Sequence, residues 1–234
     1  MSAIYKRELR GFFTNPMGYV FIAALLGFEG FYFWQILSYQ NTELFMYIYN
    51  SIFTFCMMLI PVLTMRLLSE DKKQKTDQAL LTAPVSLFGL VMGKFLAALT
   101  VYAIPVLFTL VHAFVMSFMG APNWAAIFGN VIGTLLYGAA IIAIGLFISG
   151  LTDSQMIAAV VSFFISMLLM IIDSISSLFS SKVLMTICKA LSFMTRYNAF
   201  VNGIFDTGAA IYFLSVIGLF IYLTVSTLEK RRWN

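Results

Sequence analysis

Apolar residues in this chain run in blocks of about 20, the length a helix needs to cross a hydrocarbon core of roughly 30 Å. Blocks of that kind leave few folds open. Lipid offers no partner to a free backbone N–H or C=O, so a spanning segment is a helix or a strand of a closed barrel. Barrel strands alternate in polarity, and these blocks do not. The pattern predicts an all-α polytopic membrane protein of about six transmembrane helices, at roughly 17–38, 51–68, 87–117, 124–149, 155–174 and 208–228. Charge agrees with this reading: only 10% of residues are Asp, Glu, Lys or Arg, against about 25% in a soluble domain. The first block is too long for the apolar core of a cleavable leader and reads as an uncleaved first span. The loops leave no room for a soluble domain, so residues 1–234 read as one transmembrane domain.

Orientation follows from the Lys/Arg bias of the short loops. Lys6, Arg7 and Arg10 precede the first span, Arg66, Lys72, Lys73 and Lys75 follow the second, and Lys230, Arg231 and Arg232 follow the last. The segments 39–50 and 118–123 hold no Lys or Arg. Both termini are therefore expected in the cytoplasm. Residues 1–15 place Met1, Tyr5, Leu9, Phe12 and Phe13 on one helical face and the cations Lys6, Arg7 and Arg10 on the other. Such a helix lies in the membrane interface with its cations near anionic headgroups, and Asn15-Pro16 ends it. Lys94, at the start of the long third span, is expected to snorkel toward the cytosol. Pro105 is a candidate kink, and Gly89 and Gly93 make a GxxxG suited to close helix packing.

The segment 175–207 carries Lys182, Lys189 and Arg196 yet falls on the outer side of a six-span arrangement. Val183, Leu184, Ile187, Leu191 and Met194 recur there at helical spacing. One or two short amphipathic helices resting on the outer leaflet, or dipping into it, are expected.

Little in the chain could perform catalysis. Gly89-Leu-Val-Met-Gly93-Lys94-Phe95 is one residue short of a phosphate loop, lacks the Ser or Thr after Lys, and follows no strand. His112 is the only histidine, and a lone histidine in a span packs against a neighbour more often than it binds a metal. Cys56 and Cys188 lack metal spacing and read as small apolar fillers. The net charge of +4 belongs to membrane-flanking loops, because no Lys/Arg stripe interleaves with aromatics as a nucleic-acid face requires. Two carboxylates sit at or near membrane depth. Glu29, within Gly27-Phe28-Glu29-Gly30, is a candidate contact for a substrate cation or a partner helix, since a charge at a helix centre costs about 2.5–3.5 kcal/mol. Its alternative is a place near the outer interface, hydrated or protonated. Asp173 falls at the outer end of the fifth span and reads as interfacial.

The most distinctive polar run is Ser69-Glu70-Asp71-Lys72-Lys73-Gln74-Lys75-Thr76-Asp77-Gln78, followed by Ala79-Leu80-Leu81-Thr82-Ala83-Pro84-Val85-Ser86. Thr76 suits the cap of a short helix through Leu81, and Pro84 would end it. Together with Gly93-Lys94, this run resembles the ABC-2-type transporter permeases, the membrane half of ABC exporters, and within them the gliding-motility subgroup. That family often carries Gly before the Thr, where this chain has Lys75. Near the end, Phe200-x-x-Gly203-x-x-Asp206, Tyr212-Phe213-Leu214-Ser215 and Glu229-x-Arg231-Arg232-Trp233 are similar to the subgroup as well.

The resemblance implies roles. Residues 1–15, with Lys6, Arg7, Arg10, Phe12 and Phe13, would form the interfacial elbow helix. The segment 69–86 would hold the coupling helix, with Glu70, Asp71, Thr76, Leu80, Leu81 and Pro84 meeting a separate ATP-binding subunit. Glu70 and Asp71 would pair with basic groups there. ATP and magnesium would bind that partner and no cofactor would bind this chain, so the chain itself is not expected to be an enzyme. A second permease copy or a related permease would complete the pathway, and a membrane-anchored extracytoplasmic subunit is a further expected partner. The segment 175–207 would be the extracellular re-entrant helices, and the location would be the cytoplasmic membrane of a prokaryote. An ABC complex doing mechanical or signalling work without cargo needs the same parts. A secondary transporter would need internal repeats and more membrane charges than this sequence offers.

Overall fold

The computed structural model describes residues 1–39, 45–75, 86–120, 122–176, 182–201 and 206–233, and all regular structure among them is helical. α1 (Ser2–Thr14) ends where Asn15 turns extended, and Pro16 opens α2 (Pro16–Tyr39). Pro suits that first helical position because its missing N–H has no intrahelical partner there. α3 (Phe45–Thr64) follows, then turns at 65–68 and the short α4 (Ser69–Lys73). The long helices α5 (Leu87–Met116) and α6 (Trp124–Leu151) come next, then α7 (Gln155–Ser176). Two shorter helices, α8 (Lys182–Leu191) and α9 (Phe193–Val201), precede the last, α10 (Thr207–Trp233). Six segments are long and apolar enough to cross a membrane, with α3, its turn and α4 counted as one, Tyr47–Lys73.

Polar side chains at the helix starts explain where the spans begin. Ser86 accepts from Gly89 N–H at 3.2 Å, Asn123 from Ala126 N–H at 3.2 Å, and Ser192 from Thr195 N–H at 3.1 Å. Each satisfies a backbone donor that the first helical turn leaves free.

Two boundaries differ from the sequence reading. The second span starts at Phe45 rather than at 51. Its polar-looking first turns are tolerated because Ile48 and Tyr49 are buried and the Tyr49 hydroxyl bonds the Thr109 hydroxyl at 3.3 Å. Regular helix then stops at Thr64, three residues after Pro61. α5 runs unbroken through Pro105.

α6 is the central helix, with α3, α5, α7, α9 and α10 packed around it. Its small residues make that possible. A methyl group at Gly133 would overlap Phe200, one at Gly138 would overlap Tyr102, and one at Gly145 would overlap Thr64. Small residues let helix backbones approach in lipid, where apolar burial alone does not drive association. α2, by contrast, is peripheral and turns Val20, Phe31 and Trp34 outward.

Two short helices stand in the segment 175–207, within the one or two expected. Ser192 separates α8 from α9, and Val183 and Leu191 are exposed. The buried set is Phe193, Tyr197 and Phe200 on α9, which packs against α6. The Tyr197 hydroxyl shares a 2.8 Å hydrogen bond with the Thr134 hydroxyl and donates to the Tyr49 carbonyl at 3.0 Å. The second short helix is thus built into the core rather than laid on a surface.

Candidate functional site

The charged turn after α3 is fastened to the spans by a serine and two lysines. The backbone N–H groups of Leu68 and Ser69 both donate to Ser149 Oγ, at 2.9 and 3.0 Å. Ser149 Oγ in turn donates to the Met65 carbonyl at 3.2 Å. These bonds satisfy donors that α4 exposes at its start. On the other side of the turn, Lys72 is buried and donates to the Gly150 carbonyl, with Asp153 at 3.9 Å.

Lys94 is the second lysine. It does not snorkel to water: it is only 1% exposed, and its Nζ lies 2.7 Å from Asp71 and 2.9 Å from Glu8. An amine taken out of water needs compensating charge, and the two carboxylates supply it from α4 and α1. Arg7 joins them, 2.6 Å from Glu8 and 3.8 Å from Asp71. Burial works against the Arg7 charge, but the Glu8 hydrogen bond and the Glu8 and Asp71 carboxylates outweigh it, so the guanidinium is held above its ordinary value.

Asp71 is therefore turned toward its own chain, with Lys94 and Arg7 as its counter-ions. Glu70 is likewise engaged, with Arg66 one helical turn back at 3.5 Å. Lys73, Gln74 and Lys75 are the exposed residues of this turn. Lys75 holds a positive φ of 57°, the left-handed region that a side chain disfavours and glycine adopts freely. A glycine would hold this bend freely, and this chain keeps the bend with a lysine. Thr76, Leu80, Leu81 and Pro84 lie outside the described residues.

The inner face of α1 is Ile4, Glu8 and Phe12, each four residues apart. Ile4 sits over Gly93, where an added Cβ would come within 3.0 Å of it. The GxxxG glycine is thus the place where α1 crosses α5. Phe12 is fully buried beneath the Arg66 guanidinium, 5.0 Å from its ring centroid. Phe13 packs edge-on against Tyr19 at 5.4 Å. Lys6 and Arg10 are exposed as expected for headgroup-facing cations, but Arg7 is committed to the ion cluster. Sequence reasoning passed over Glu8 and Ser149 and gave Lys94 the wrong direction. A usable signal existed for Glu8, the lone acid before Glu29.

These contacts gather α1, α4, the start of α5, the 151–155 turn and the end of α10 at one end of the bundle, the last through Arg231 and Asp153 at 3.8 Å. A cleft of about 760 Å³ opens beside Lys73, lined by Met65, Asp153, Gln155 and Met156 among others.

Of the membrane candidates, Glu29 is not at a hydrated interface. It is 1% exposed on the inward face of α2. Asp173 falls in the last turn of α7, and its side chain lies outside the described residues. His112 is packed as expected, stacked on Phe33 at 4.5 Å and edge-on to Phe108 at 5.3 Å. Cys56 is buried, with its thiol 3.7 Å from the Tyr102 hydroxyl.

A family model described as ABC-2 family transporter protein matches residues 3–229. The match takes in α1, the charged turn and the six membrane segments. No curated protein sequence matches the chain.

Proposed function

The chain belongs to the ABC-2 transporter family, and from that premise we propose that it is the permease of an ATP-driven exporter whose ATPase is a separate subunit. The end bearing α1, α4 and the C-terminal cations faces the cytoplasm, where Lys/Arg-rich loops are retained. Two permeases, this chain twice or with a related one, enclose the pathway in the cytoplasmic membrane of a prokaryote. An extracytoplasmic subunit completes the assembly.

The observation that carries this reading is the double attachment of α4. Ser149 and Lys72 tie it to the end of α6, and Lys94 ties it to α1 and α5. A segment held so firmly on its inner side transmits a push on its outer side to several spans at once. Closure of an ATP-bound dimer displaces the turn, and the bundle shifts toward an outward-open population. The outer side presents Lys73 and Lys75, so the complementary groups on the ATPase are acidic rather than the basic ones that Glu70 and Asp71 would have called for. Leu80 and Leu81 add apolar anchors to the same contact.

Co-purification tests the proposal. The tagged chain, extracted in mild detergent from its native host, should bring down a nucleotide-binding subunit in near-equal amount, with ATPase activity in the complex. Lys73→Glu with Lys75→Glu should lower recovery of that subunit at least tenfold while leaving the unfolding temperature of the chain in place. Reversal of Glu70 is a poorer probe because it also breaks the Arg66 pair. A chain that purifies without an ATPase from several detergents would overturn the permease reading. A complex indifferent to the two reversals would overturn only the docking surface.

A further inference from the structure

Between Arg10 and Arg66 the sequence contains no Lys or Arg. Both α2 and α3 lie in that stretch, so neither helix can supply a cation to the other. Glu29 nevertheless sits on α2 at 1% exposure, and neither of its carboxyl oxygens has a hydrogen-bond partner among the described residues. Buried carboxylates are ordinarily paired or hydrogen-bonded, and an intramembrane one marks a functional site by default. Tyr49 and Cys56 of α3 lie within electrostatic reach of it, but the Tyr49 hydroxyl is engaged with Thr109 and the Cys56 thiol with Tyr102. On α5, His112 is stacked against Phe33, and the lysine of that helix, Lys94, is committed at the opposite end to Glu8 and Asp71.

A second observation lies on the same helix face. Residues 29, 32 and 36 recur at the spacing of one α-helical stripe. Tyr32 and Ile36, with Gln35, Tyr39 and Tyr47, line a cavity of about 250 Å³ between α2 and α3. Tyr39 and Tyr47 stand exposed at its rim, and Ile36 is buried at its floor. Three tyrosines around one apolar space form the surroundings that favour an organic cation, whose charge is attracted to the ring faces.

We propose that the Tyr32–Tyr39–Tyr47 cavity, with Glu29 one helical turn deeper, binds an organic monocation of the quaternary-ammonium class from the outer half of the membrane. The tyrosines hold the cation by their ring faces. Glu29 supplies the counter-charge that no other described group of α2 or α3 provides. Gln35 offers an amide to a polar substituent. The site is a property of this chain alone and does not require that the ATPase reading hold.

Equilibrium binding to the purified full chain, in nanodiscs of zwitterionic lipid, tests it. The probe is benzyltrimethylammonium, and the control is neopentylbenzene, which has the same shape without the charge. The cation should bind saturably and the neutral isostere at least tenfold more weakly. Glu29→Gln, which preserves shape, should weaken the cation at least tenfold and leave the isostere unchanged. Tyr47→Leu, at the exposed rim, should weaken the cation several-fold with no change in unfolding temperature. Absence of saturable cation binding in the unaltered chain, equal affinity for probe and isostere, or undiminished binding by Glu29→Gln would each overturn the proposal.

Discussion

The two ends of this bundle are held together by different chemistry. At the end bearing both termini, Arg7, Glu8, Asp71 and Lys94 form a charged cluster, and Lys72, Asp153 and Arg231 form another beside it. Toward the other end, neutral groups do the same work. Tyr49, Tyr137 and Tyr197 hydrogen-bond α3, α5, α6 and α9 to one another, and the rings of Phe53, Tyr137, Tyr197, Phe193 and Phe213 pack face to face or edge to face. The contrast follows from solvent. Near headgroups and water an ion's desolvation is partial, so opposite charges can be brought together and paired. Farther into hydrocarbon the cost rises, and a phenol joins helices without a net charge. Glu29 departs from this pattern, buried on α2 with no hydrogen-bond partner among the described residues.

Substitutions can break this comparison at either end. The largest effect is expected at the charged one. Lys94→Met leaves Asp71 and Glu8 facing each other around a lost cation, and should cost about 3–5 kcal/mol of stability. It should lower the thermal unfolding midpoint in detergent, and Asp71→Asn added to it should recover part of the loss by removing one of the two charges. A midpoint unmoved by Lys94→Met would mean that the cluster is not what fastens α4. At the neutral end, Gly138→Ala forces a methyl against the Tyr102 ring and should cost about 1–3 kcal/mol. Gly218→Ala is its comparison, because a Cβ there meets nothing within 4 Å, and this variant should hold or raise the same midpoint. The smallest loss is expected from Tyr197→Phe, which removes the bonds to Thr134 and Tyr49 but keeps the ring. Polar contacts between membrane helices average about 0.6 kcal/mol and reach about 1.7, so only a slight fall in midpoint should follow. A fall as large as that of Lys94→Met would erase the distinction between the two ends.

Much of the fold was legible in the sequence because membrane spans are read from bulk composition. A run such as Leu87–Met116 is apolar on all sides, and no tertiary contact is needed to see that it must be helical in lipid. Asn15-Pro16 marked the end of α1 by local chemistry that also needs no neighbour. The candidate coupling residues were legible only as a pattern, and four of the six fall outside the described ones. What local pattern misplaced was direction. Arg7 belongs to the polar face of α1 by spacing, yet it turns to Glu8 and Asp71. Lys94 reads as a snorkelling lysine, yet it is buried beside Asp71 and Glu8.

The sequence alone therefore determined an all-helical membrane chain, because hydrocarbon forbids unpaired backbone. Only the tertiary structure decided which charges face inward. Lys94, Asp71 and Glu8 are far apart in sequence, and an ion goes inside only where folding brings its counter-ion within bonding distance. The same is true of Glu29: its spacing placed it in a span, but only the packing of α2 against α3 left it buried beside an aromatic cavity with no cation of its own.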